Sequence, residues 1–224
     1  MKYFLTGLFF LMLQGRLNAQ AWRIDLAYHY HYSQTWDKAI RTYNFSRPFL
    51  KALQPLLIHG INGSVCKWFG KTKNLQHGIQ VSYAQIRSRA RWDEGMNPIH
   101  LHMLQPGYLC HLSSLRARHN FFTEFGLSAS GLLLSRKMND IRAASEDKSL
   151  RALGIGCHLS VSVGREIRLS EKMELVPFVR IGSIPWMHTP ESEVVLNQTR
   201  GMIGGRMGTG IYGQIGIGLK SIRD

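Results

Sequence analysis

WRIDLAYHYHY, running from Trp22 to Tyr32, decides the fold. Every even position is apolar or aromatic (Trp22, Ile24, Leu26, Tyr28, Tyr30, Tyr32), and the odd positions hold Arg23, Asp25, Ala27, His29 and His31. A helical period would smear the two sets around its circumference, whereas an extended strand sends them to opposite faces.

Outward from this stretch the same period of two returns. Between Leu153 and Gly164 it sets Leu153, Ile155, Cys157, Leu159, Val161 and Val163 against Gly154, Gly156, His158, Ser160, Ser162 and Gly164. From Thr209 to Leu219 it sets Ile211, Ile215, Ile217 and Leu219 against Gly210, Tyr212, Gln214, Gly216 and Gly218. Weaker versions run through Leu57–Phe69, Ile79–Arg87, Ile99–Leu112, Phe121–Leu133 and Met173–Met187, which makes eight segments. Their lengths suit the roughly 9 to 11 tilted residues that cross a bilayer as a strand.

The connections alternate in length. Short ones follow segments two, four and six, around Gly70–Asn74, Ser113–Arg118 and Arg165–Lys172. Long polar ones follow segments one, three, five and seven, around Ser33–Gln54, Ser88–Pro98, Ser135–Leu150 and His188–Arg206. An up-and-down transmembrane barrel with both termini in the periplasm predicts this asymmetry. A soluble barrel with an apolar ligand inside would also alternate, but its wet face would carry Lys, Glu and Thr rather than the Gly and Ser of segments six and eight. Small residues suit a crowded lumen, and Trp22 at one end of the first segment with Tyr28, Tyr30 and Tyr32 toward the other suits two aromatic girdles.

The N-terminus reads as a cleavable signal peptide over residues 1–19: Lys2, an apolar run from Tyr3 to Leu13, and Leu17, Asn18, Ala19 before a mature chain opening at Gln20. The remaining 20–224 read as one domain. No later stretch approaches the roughly 20 apolar residues of a membrane helix. Of the formal charge of +14, Lys2 and Arg16 leave with the signal, so the mature chain carries roughly +12. Its basic residues are scattered, which points away from nucleic acid and toward membrane lipid and lipopolysaccharide phosphate. Cys66, Cys110 and Cys157, an odd count without close spacing, read as small packing residues.

With these features the chain resembles the small, eight-stranded outer-membrane β-barrel proteins of Gram-negative bacteria, over essentially Trp22 to Leu219. The resemblance implies fold and outer-membrane location. In one departure, many such barrels end on an aromatic residue, and this chain ends Ile222, Arg223, Asp224. The leading expectation is an envelope barrel with a structural or loop-mediated binding role. Eight strands enclose a lumen that side chains fill, which disfavours an open pore. No cofactor is indicated.

Several constellations invite chemistry. His29 and His31 on the first segment, with His100 and His102 on the fourth, would form a lumen metal site for zinc, copper or nickel if both pairs point inward at one height. His158 and Ser160 are similar to the His-x-Ser pair of outer-membrane lipid A deacylases, so a lipid-modifying hydrolase is the alternative function. Cys110–Ser113 repeats the same Cys-His-Leu-Ser string. A turn near Arg168 and Leu169 would put Ser160 opposite Pro177, about three residues from Glu174, with Glu166 in the turn itself. Arg23, Asp25, Glu124, Glu174 and Arg180 share the expected inward face and predict an ion-pair network plugging the lumen. Glycines at Gly204, Gly205, Gly208 and Gly210 read as loop and strand features. In the first long connection Trp36, Tyr43, Phe45 and Phe49 mix with Lys38, Arg41, Arg47 and Lys51. That segment suits either a surface for lipopolysaccharide, protein or glycan, or a lid over the barrel mouth.

Overall fold

The computed structural model describes residues 19–45, 57–69, 74–92, 95–114, 120–138, 148–188, 206–207 and 209–221. The expected signal segment, apart from Ala19, lies outside the described residues. The barrel strands are β1 (Ala19–Ser33), β2 (His59–Phe69), β3 (Leu75–Trp92), β4 (Gly95–Ser113), β5 (Asn120–Met138), β6 (Lys148–Arg168), β7 (Met173–His188) and β8 (Gly210–Ser221). One helix, α1 (Gln34–Phe45), follows β1, and a two-residue strand, Arg206–Met207, precedes β8 and pairs with β7. Each strand is antiparallel to the next, and β8 closes on β1 from Arg23↔Lys220 to Ser33↔Gly210. Around the apolar band closure leaves no free strand edge among the described residues, the condition for crossing lipid as strands.

Followed from Ile24 through Val65, Val81 and Pro106 and on around the wall, the register returns to β1 about ten residues further along. Such a stagger tilts the strands and fixes a narrow barrel. Outward residues on β6 run from Leu153 to Val163, and Arg151 and Arg165 bracket them, both exposed. At ~3.3 Å per residue and a tilt near 40° that run stands about 25 Å tall, the height of a transmembrane apolar band.

The faces are those of a transmembrane barrel. Ile24, Leu26, Ile181 and Ile215 point outward and are 63–68 % exposed, while Arg23, Asp25, Glu124, Arg180 and Gln214 point inward and are buried. A soluble barrel holding an apolar ligand requires the opposite assignment. Tyr28, Tyr30, Tyr32 and Trp22 are all exposed on the outer wall, in the girdle positions.

Toward the end distal to the termini the polarity inverts while the parity of each strand holds. Outward residues of β3 change from Ile79, Val81 and Tyr83 to Gln85, Arg87 and Arg89, and inward residues change from Gln80 and Ser82 to Ala84 and Ile86. Inward Ile99, Leu101 and Met103 of β4 and Leu132 and Leu134 of β5 join Ile86 in one buried apolar cluster. Above the lipid the outside of the wall meets water, so the burial rule of a soluble barrel takes over.

The connections differ from expectation at this end. Of the residues expected in the loops, 88–92 and 95–98 extend β3 and β4, and 135–138 and 148–150 extend β5 and β6, because the apolar cluster inside supports the longer wall. The first connection, expected as an irregular loop, carries α1. Trp36 and Ile40, four residues apart on one helix face, are 2 % and 0 % exposed in the same apolar cluster, so α1 is a lid. Phe45 stays outside, 90 % exposed, and Arg47 and Phe49 lie outside the described residues. Trp36→Ala removes the anchor, about 3–5 kcal/mol of docking. Limited proteolysis should then cut within residues 34–45 while the barrel core stays resistant, and an unchanged cleavage pattern would refute the lid.

Candidate functional site

The lumen near the termini is an ion-pair network. Arg23 of β1 reaches across to Glu124 of β5 with two guanidinium nitrogens, one of them 2.9 Å from Oε2, and its Nε lies 2.9 Å from Asp25 Oδ1. Arg180 of β7 approaches Glu124 at 3.7 Å, Ser162 donates to it at 3.1 Å, and His111 Nδ1 lies 3.0 Å away. Ser64 donates to Asp25 at 3.0 Å, and Gln80 donates to Ser64 at 2.7 Å. The Arg23 guanidinium also lies 5.1 Å from the Trp68 ring centroid. Nearer the termini Lys220 pairs with Glu166 and stands 4.0 Å from Glu174.

The expected network is therefore present, with two changes. His111 and Lys220 belong to it, and Glu166 lies in the paired part of β6 rather than in a turn. Glycine makes room for it: a Cβ on Gly218 would sit 2.3 Å from Asp25 Oδ1. The charges neutralise one another where water cannot, and they block the bore.

The middle of the lumen holds His158, but with partners other than Ser160. Its Nε2 lies 2.8 Å from Ser130 Oγ of β5, and Gln105 of β4 donates to its Nδ1 at 3.2 Å. Ser160 instead hydrogen-bonds Tyr212. His158 and Ser160 stand side by side on β6 and each turns to a different strand, His158 to Ser130 diagonally across the β5–β6 pair and Ser160 to Tyr212 of β8. Ser160 pairs with Gly182, not Pro177, because the β6–β7 turn centres two to three residues later than expected, past Arg168↔Glu174. Glu174 thus lies far down β7 from His158, and no carboxylate among the described residues orients the imidazole. The space left beside Ser160, Gln105 and Tyr212 is about 10 Å³, room for about one water and not for an acyl chain.

The four histidines expected to share a metal do not come together. His29 and His31 point inward, their rings stacked 6.2 Å apart, and Gln214 donates to His29 Nδ1 at 3.0 Å. His100 and His102 face outward on β4, against the expectation, because inward Ile99, Leu101 and Met103 take the buried face in the inverted section. Among the described residues no group of three or more His, Cys, Asp or Glu side chains is placed to hold a metal.

The outer wall has its own electrostatic character. Of the six described carboxylates, Asp25, Glu124, Glu166 and Glu174 point into the lumen, Asp37 pairs with Arg41 on α1, and Glu171 sits between β6 and β7. Outward positions of the wall hold Lys67, Arg87, Arg89, Arg151 and Arg165, and no described carboxylate. Ser130 and His111 lie on the same inward parity as Glu124 and Gln105, so alternation could have found them. Partners across the bore depend on closure and register, which no local pattern carries.

No family model and no curated protein matches this chain. Among solved structures, the crystal structure of Neisserial surface protein A is similar at 10% sequence identity, with 91% of this chain and 96% of that chain covered and a TM-score of 0.48.

Proposed function

We propose that this chain is an integral barrel of a Gram-negative outer membrane that conducts no solute and acts in the envelope through its external end, structurally or by binding. The observation that carries this reading is an apolar band about 25 Å tall around a lumen filled by the Arg23–Glu124 network. Such a wall is stable only in lipid, and such a bore offers no aqueous path. The external end is the one away from the termini, where the lid α1 and the extended β3–β4 hairpin stand clear of the band.

Envelope fractionation followed by unheated and boiled electrophoresis tests it. The protein should sediment with the outer membrane and change apparent mass on boiling, and in a planar bilayer it should give no stepwise conductance. Recovery in the soluble periplasm without detergent would overturn the location, and regular conductance steps would overturn the plug.

A further inference from the structure

We infer that the outward face of the β3–β4 extension binds the phosphorylated headgroup of a lipid in the external leaflet. Four residues carry it, Arg87 and Arg89 on β3 and His100 and His102 on β4, and it rests on the outer-membrane reading above.

Height comes first. Tyr83 is the last aromatic of the apolar band on β3, and its hydroxyl lies 2.5 Å from His102 Nδ1. Arg87 and Arg89 follow four and six residues later, ~10 and ~15 Å higher at a tilt near 40°, and their long side chains reach back toward the headgroup layer that adds several ångströms beyond the hydrocarbon.

Chemistry comes second. Arg87 and Arg89 project from the same face two residues apart, and neither pairs with a carboxylate among the described residues. Gln85 accepts from Arg87 at 2.9 Å, which steadies one guanidinium nitrogen, and the other donors have no partner among the described residues. His100 stands directly across from Arg87 in the ladder and stacks on His102 at 5.9 Å. This is a donor-rich surface suited to the planar, forked recognition of a phosphate by arginine. A protein partner would more commonly meet an apolar centre, whereas the described outward residues around Arg87 are mainly polar: Gln85, Arg89, His100 and His102, with Pro98 and Leu133 beside them.

Rigidity comes third. The inward neighbours Ile86, Ser88, Ile99 and Leu101 are buried, so the basic side chains are mounted on a fixed wall rather than on a loop.

The test uses full-length protein purified in uncharged detergent, with retained lipid A measured by native mass spectrometry and by titration of phosphorylated and dephosphorylated lipid A. Wild type should bind the phosphorylated form, Arg87→Gln/Arg89→Gln should bind about tenfold more weakly or worse, and Lys67→Gln at the opposite edge should match wild type. Equal binding by the double variant, or by dephosphorylated lipid A, overturns the proposal. Competition by millimolar inorganic phosphate overturns the lipid assignment in favour of a free anion. The apparent-mass shift on boiling, run on every sample, separates the cases: if wild type lacks it the barrel reading itself has failed, and if the double variant keeps it a change in binding reports the headgroup contact alone.

Discussion

Glu124→Ala is expected to lower the stability of the folded barrel by about 3–5 kcal/mol, the largest loss available to a single polar substitution in this lumen. Glu124 is 1 % exposed and receives Arg23, Arg180, His111 and Ser162 at once. Its removal leaves Arg23 with Asp25 alone and strips Arg180 of its only described carboxylate, in a place where neither cation can take up water. Arg23→Ala should cost a similar amount, since it strands Glu124 and Asp25 together. The double variant should cost less than the sum of the two, because each deletion relieves the charge the other has stranded. Denaturant unfolding in lipid vesicles, followed by the mobility shift, reads all three. Single-variant losses under about 1 kcal/mol would show that water enters the lumen and that the network is not a plug.

Leu159→Arg is the second large effect and tests the wall rather than the bore. Leu159 lies midway along the outward run of β6 between Arg151 and Arg165. An arginine at the bilayer midplane of a barrel costs about 2–4 kcal/mol. Gln85→Arg, placed just past Tyr83 on the hydrophilic extension, should change stability by no more than about 0.5 kcal/mol. Refolding yields and unfolding midpoints in the same lipid compare the two. If Leu159→Arg is as mild as Gln85→Arg, the outer wall of β6 does not face hydrocarbon.

Much of the candidate site was legible before the fold was known, to an uneven degree. Alternation on β1 placed Arg23, Asp25, His29 and His31 on one face, and the rule that buried charges need partners then pointed to an ion-pair plug. The same alternation misplaced His100 and His102, because parity separates two faces without saying which is inside. On β1 and β8 the apolar face is the outer one along the whole run. On β3 and β4 it switches sides where the wall leaves lipid for water, and the two histidines follow the switch outward. The expected Ser160 partner failed for another reason. A shift of two to three residues in a hairpin turn moves every opposed pair by about twice that, so Glu174 went from a near neighbour of Ser160 to the far end of β7.

The sequence by itself determined that eight strands form, which residues share a face, and that an apolar band with small and charged residues opposite it belongs around a narrow filled lumen. These are consequences of period, residue size and charge, all local along the chain. Tertiary structure alone decided which serine meets His158, where the lumen changes from ion pairs to an apolar cluster, and that Trp36 and Ile40 fold α1 down as a lid. Each of these rests on groups far apart in sequence. His158 and Ser130 meet through the register of the β5–β6 pair, while the apolar cluster under α1 assembles only once the wall closes with its stagger of about ten residues.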